Sequence, residues 1–121
     1  MTERISNAER EVMEVLWEKS PQSAQEVVEA LAPKKEWHEK TVKTLLNRLI
    51  NKKILGFNKE SKKYLYYPRV NRKVYLHAES RNFLESWFGG SVSPLLFSFA
   101  AQELLSKSEL KELKKLLDKI E

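Results

Sequence analysis

Three amphipathic helical stretches, the first two opened by capping boxes, followed by two short β-prone runs fill about the first 70 residues, and few small folds accommodate that order. Ser6 with Glu9 forms an S-x-x-E capping box, in which hydroxyl and carboxylate satisfy backbone donors of the first turn. Ala8, Val12, Val15 and Leu16 then recur at helical spacing, extended by Met13 and Trp17, until Ser20-Pro21 ends the helix. Ser23 and Glu26 repeat the box. Ala24, Val27, Val28 and Leu31 supply an i, i+3, i+4, i+7 stripe, and Pro33 closes this short second helix. A loop carrying Lys34, Lys35 and Trp37 leads to a third helix over about residues 39–53, with Val42, Leu45, Leu46 and Leu49 facing inward.

The period then changes. Leu55, Gly56 and Phe57 begin a strand, the polar stretch Asn58 to Lys63 reads as a turn, and Tyr64 to Tyr67 form a β-prone run stopped by Pro68. The tyrosines are expected to pack on the helices. Three helices and a hairpin in this order make a winged helix-turn-helix.

Helical spacing returns near Arg72. Leu76, Phe83, Leu84, Trp87 and Phe88 share one broad stripe, and Gly89-Gly90 breaks it. Ser93-Pro94 predicts an N-cap with proline at the first helical position, opening a segment rich in Leu95, Leu96, Phe97, Phe99, Ala100 and Leu104. Ser106 with Glu109 opens a last helix whose seam is Leu110, Leu113, Leu117 and Ile120. These three helices are too short and too apolar to stand alone, and burial against a second copy is the simplest solution. The expected architecture is mainly α with a small β-hairpin: a winged helix-turn-helix domain over residues 1–70 and a three-helix dimerisation domain over 71–121. Leu76, Phe83, Leu84, Trp87, Phe88, Leu96, Phe99, Leu110, Leu113 and Leu117 are the expected dimer contacts.

Charge is unevenly spread. The net charge of +5 resolves into −4 over residues 1–33, +7 over 34–63 and +2 over 64–121. A concentrated basic block attracts phosphate backbones, because each neutralised phosphate releases condensed counterions. The third helix lies within it. At about 100° per residue, Lys40, Thr44, Asn47 and Asn51 oppose the apolar stripe, with Thr41, Lys43 and Arg48 on the flanks. No acidic residue falls between Lys40 and Lys53. An ordinary surface helix interleaves Glu with Lys for i, i+4 pairs. A carboxylate-free face of Lys, Thr, Asn and Arg instead suits the major groove, where Lys and Arg donate to guanine and Asn pairs with adenine. Lys40, Thr41, Lys43, Thr44, Asn47 and Arg48 are the expected readers. Lys62 and Lys63 at the hairpin tip, with Lys52 and Lys53, are expected to meet phosphate.

Other chemistries find little support. The 121 residues contain no cysteine, which excludes disulfides, thiolate metal sites and a Cys nucleophile, and fits a reducing cytoplasm. His38 and His77 lack paired-histidine spacing, and no glycine loop cradles phosphate. No enzymatic activity, cofactor or metal is expected. The charged N-terminus lacks the apolar stretch of a secretion signal, and no segment approaches a membrane span, so no membrane insertion and a cytoplasmic location are expected. Two alternatives remain: a weakly specific DNA-binding winged helix, and a winged helix that meets an acidic protein partner.

Four segments in register, ISNAEREVMEVLWEKSPQSAQEVVEAL, TVKTLLNRLINKKIL, YLYYPRV and ESRNFLESWFGGSVSPLL, resemble the penicillinase-repressor family over nearly the whole chain. The resemblance implies a homodimer that binds an inverted-repeat double-stranded DNA operator and blocks transcription, with β-lactamase-type resistance genes as the regulated class. It also implies a membrane sensor-protease pathway that inactivates the repressor at an Asn-Phe bond, for which the matching step here is Ser98-Phe99. The copper-responsive branch carries a cysteine-rich motif that this chain lacks. His38-Glu39 stands where many members have Ser-Pro, leaving a weaker N-cap on the third helix.

Overall fold

Both N-terminal capping boxes form. In the structure, a computed structural model that describes residues 4–119, α1 spans Asn7–Glu18 and α2 spans Ala24–Leu31. The Glu9 N–H donates to Ser6 Oγ at 3.1 Å and the Ser6 N–H to Glu9 Oε1 at 2.7 Å. Ser23 and Glu26 exchange the same pair of bonds at 3.2 and 2.9 Å. The third helix, α3, spans Glu39–Asn51, and its N-cap His38 makes no side-chain capping bond.

The three apolar stripes meet in one core. Val12, Met13, Leu16, Val27, Val42, Leu46 and Leu49 are fully buried, while Ala8, Val15, Trp17 and Val28 are half-buried at its margin. Each fully buried aliphatic chain contributes about 1.5–3 kcal/mol relative to exposure. Past α3, Lys53 adopts a left-handed φ of 64°. There the Lys53 N–H bonds to the Ile50 carbonyl and the Ile54 N–H to the Leu49 carbonyl. This is the reversal that usually employs Gly or Asn, and it returns Ile54 and Leu55 to the core.

β1 (Leu55–Glu60) pairs antiparallel with β2 (Lys63–Pro68), from Leu55↔Pro68 to Glu60↔Lys63. The turn is thus confined to Ser61 and Lys62, with Ser61 at φ 54°, and the longer turn expected over Asn58–Lys63 does not occur. A two-stranded ladder satisfies its backbone whatever the side chains, so polar residues extend the wing into solvent. The Tyr67 ring lies against Gly56, where a Cβ would stand 2.6 Å from it and the ring would have to shift. Of the tyrosines expected against the helices, Tyr66 is buried and Tyr67 half-buried. Tyr64 is exposed, edge-on to Phe57 at 5.4 Å between ring centroids. Gln22, in the α1–α2 loop, exchanges both backbone bonds with Tyr66 and so docks the wing on the helices.

α4 (Arg72–Phe88) is capped by Asn71, whose Oδ1 accepts the Val74 N–H. Compactness divides the chain within α4 into residues 1–79 and 80–121. In the first unit Tyr75 is buried, with its ring 5.7 Å from Trp17, whose Nε1 donates to the Val70 carbonyl at 2.8 Å.

In the second unit Gly89 and Gly90 take positive φ and end α4. α5 spans Val92–Ala101 with Ser91 as N-cap, two residues earlier than expected. Pro94 therefore holds the third helical position, where its missing N–H would have had no intrahelical partner. Glu103 at φ 58° and a bond from the Leu104 N–H to the Phe99 carbonyl close α5 before Leu104. α6 (Lys107–Lys119) opens with the expected Ser106–Glu109 box, with both bonds at 3.0 Å. Ile120 lies outside the described residues.

Candidate nucleic-acid interface

The rotation that sends Val42, Leu45, Leu46 and Leu49 into the core turns the opposite face of α3 outward. Lys40, Thr41, Lys43, Thr44, Asn47 and Arg48 are all exposed. Thr44 Oγ1 donates to the Lys40 carbonyl at 3.0 Å, so its hydroxyl proton is engaged within the helix. What remains for a partner is an acceptor oxygen and a methyl group. Lys43 Nζ stands 3.8 Å from Glu39 Oε1, an exposed i, i+4 pair of small worth in water that a phosphate can displace.

The wing carries Lys62 and Lys63 to the same place. With Lys43, Glu39, Ser23, Gln25 and Tyr64 they line one cleft, where the start of α2, the first turn of α3 and the hairpin converge. The structure thus gathers three of the predicted cations, while Thr44, Asn47 and Arg48 continue along the open face of α3. Lys59 lies over the Tyr64 ring at 5.8 Å and extends the basic rim along the wing.

Lys52 behaves differently from the phosphate contact expected of it. Its ammonium lies 2.7 Å from Glu9 Oε1 and 2.9 Å from the Arg4 carbonyl. The residue sits on the inner flank of α3 rather than its outer face, and it turns towards α1. Burial alone would push the Glu9 carboxyl up. Lys52 and the Ser6 backbone and hydroxyl outweigh it, and the group is held below the ordinary carboxylate range. Glu9 occupies an i−3, i−4, i−7 position to Val12, Met13 and Leu16, a core position that the sequence reading assigned only to capping. Gln22 and Tyr75 were likewise missed. Neither belongs to an apolar stripe that spacing would single out.

The expected dimer contacts belong mostly to the second unit. Leu76, Phe83, Trp87, Leu110 and Leu117 are exposed, and Leu84, Phe88, Leu96, Phe99 and Leu113 are half-buried. Trp87 and Phe97 are each 75% exposed, and no residue described in α5 or α6 is buried. The Ser98-Phe99 bond lies inside α5, where both carbonyls accept hydrogen bonds, Ser98 O from Gln102 and Phe99 O from the Leu104 N–H.

The family model described as Penicillinase repressor matches residues 5–119. The chain is 34% identical to the penicillinase repressor of Bacillus licheniformis, over 95% of this chain and 90% of that one. It is 35% identical to the methicillin resistance regulatory protein MecI of Staphylococcus aureus, over 98% and 96%. Among solved structures it resembles the DNA-binding domain of the repressor BlaI, at TM-score 0.56, 37% identity and 62% and 92% coverage. It also resembles the monomeric form of Bacillus licheniformis BlaI in complex with the blaP half-operator, at TM-score 0.53 with the same identity and coverage.

Proposed function

This chain belongs to the penicillinase repressor family, and from that premise we propose that it represses transcription by binding operator DNA sequence-specifically. It is a regulator and not an enzyme. The observation that carries the reading is the exposed face of α3, continuous at its first turn with the wing lysines through one cleft. The half-operator complex of the BlaI relative supports it. Lys40, Thr41, Lys43, Thr44, Asn47 and Arg48 read the major groove, and Lys62 and Lys63 hold the adjacent phosphates.

The repressor acts as a homodimer on an inverted repeat, in the cytoplasm. The dimer reading is supported by the uncovered apolar surface of residues 80–121, where Trp87, Phe97, Leu110 and Leu117 have no core of their own. Residues 1–70 bind DNA and residues 71–121 dimerise, with the start of α4 serving both through Tyr75. Induction proceeds through a membrane sensor-protease pathway that cuts at Ser98-Phe99. Proteases bind substrates extended, so this cut needs α5 to unwind locally.

Selection of bound duplexes from a random pool tests the reading. An enriched inverted repeat is the expected result. Enrichment of no sequence would instead make this a weakly specific DNA-binding protein. Failure of duplex DNA to bind at all would favour an acidic protein partner.

A further inference from the structure

Lys52 is the C-cap of α3, and Glu9 lies in the first turn of α1, so their 2.7 Å ion pair ties the end of one helix to the start of another. Glu9 is 1% exposed. Its Oε1 accepts from both Ser6 N–H and Lys52 Nζ, while its Oε2 is buried with no hydrogen-bond partner among the described residues. A capping box also forms with neutral Gln at this position, and the charge adds only a modest dipole term to it. A buried charge with an idle oxygen is a poor device for stability alone. What the charge adds is a demand for one ammonium in one place.

The backbone that receives Lys52 is itself held. The Ile5 N–H donates to the Tyr75 hydroxyl at 3.1 Å, and Arg4 Nε lies 4.0 Å from Glu79 Oε2. Lys52 therefore anchors α3 to a segment braced from the other side by α4. Buried Leu49, Ile54 and Leu55 hold the inner face of this end in the core, and Lys52 adds a polar tie on the α1 side, immediately before Lys53 reverses the chain. A helix of 13 residues is about 20 Å long, and a tilt of about 5° that pivots on its first turn moves Thr44, Asn47 and Arg48, roughly 7–14 Å along the axis, by about 0.6–1.2 Å. That exceeds the tolerance of about 0.5 Å for a working contact.

We infer that Lys52 is a positioning residue for sequence reading. Through Glu9 and the Arg4 carbonyl it fixes the pitch of α3, so that Thr44, Asn47 and Arg48 meet base edges in register, and it makes no phosphate contact itself. The inference rests on the assignment of α3 as the reading helix.

The test measures binding to the selected operator and to a scrambled duplex across a salt series, with thermal unfolding of each variant. The variants are Lys52→Met, Lys52→Arg, Glu9→Gln and the double Glu9→Leu/Lys52→Met. Operator affinity of Lys52→Met and Glu9→Gln is expected to fall about tenfold, the size of one lost base contact, with scrambled affinity and salt slope as in the wild type. Glu9→Gln is the sharpest arm, because removing a negative charge would by electrostatics alone tighten DNA binding. Lys52→Arg is expected to recover part of the discrimination. The double variant keeps the fold by apolar packing should a single change unfold it, and it is expected to discriminate poorly while melting near the wild type.

A salt slope lowered by about one in Lys52→Met, with both duplexes weakened equally, would make Lys52 a phosphate contact and overturn the inference. Full discrimination in the folded double variant would overturn it too. Failure of the wild type to discriminate would overturn the reading assignment of α3 itself, before any variant is compared.

Discussion

The Tyr75 hydroxyl accepts the Ile5 N–H at 3.1 Å and donates to Glu79 Oε1 at 3.0 Å, joining the start of α4 to the backbone that enters α1. Tyr75→Phe keeps the ring against Trp17 but strands a backbone donor, so stability should fall by about 1–2 kcal/mol. Burial, offset by Ile5 and reinforced by Glu79, pushes this hydroxyl up from 10.0 to about 12. The folded state holds the proton more tightly than the unfolded chain. Its contribution is fully present below pH 10.0 and lost as pH rises through about 12. Denaturant unfolding at pH 8 to 12 should show a flatter alkaline decline for Tyr75→Phe; an identical decline would refute this.

Acid should act through Glu9 with the opposite sign. Its carboxyl is held below 4.5, so its contribution is present above that pH and is lost as pH falls through the lower folded value. Glu9→Gln should shrink the loss of stability below about pH 4.5, measured by denaturant unfolding. Some loss will remain, because the Glu26 and Glu109 cap carboxylates are lowered as well.

Substitution of the α3 face separates reading from folding. Lys43→Ala, Thr44→Ala and Asn47→Ala alter exposed side chains, and stability should change by no more than about 0.5 kcal/mol. Each lost base contact should weaken operator binding by roughly 1–3 kcal/mol relative to scrambled DNA. Leu45→Ala, at a buried position, should instead cost roughly 2–5 kcal/mol of stability. Paired thermal melts and binding curves check both, and undiminished discrimination in Thr44→Ala and Asn47→Ala would remove α3 as the reader.

The wing should position without specifying. Replacing Lys62 and Lys63 together by Ala should weaken all sequences alike and lower the salt slope by about two. A changed sequence preference at constant slope would mark the wing as a base reader.

Assembly should fail when its uncovered aromatics are charged. Trp87→Glu with Phe97→Glu should convert a sedimenting dimer to monomer and weaken operator binding, because two linked half-site contacts become one. A dimer that survives both changes would place the interface elsewhere.

Local chemistry made much of this chain legible. Hydroxyl and carboxylate three residues apart located the starts of α1, α2 and α6 to the residue, and the spacing of Val42, Leu45, Leu46 and Leu49 oriented α3. Those signals lie within one helical turn, so sequence alone carries them. The same spacing exposes Lys40, Lys43, Thr44, Asn47 and Arg48, which is why the candidate face could be read before the fold. Turn length and helix entry were less determinate. Asn58–Glu60 joined β1 because a ladder needs only backbone partners, and α5 began at Val92 because proline is tolerated anywhere in a first turn.

Only the tertiary structure decided which charged and polar residues turn inward. Lys52 and Lys53 are adjacent and chemically alike, yet Lys52 crosses to Glu9, a partner 43 positions away, while Lys53 reverses the chain. Gln22 meets Tyr66, and Tyr75 meets Ile5, across similar or greater separations. Such pairings exist only once helices have packed. Burial then makes an unpaired charge or backbone group costly, and the chain selects the partner that happens to be within reach.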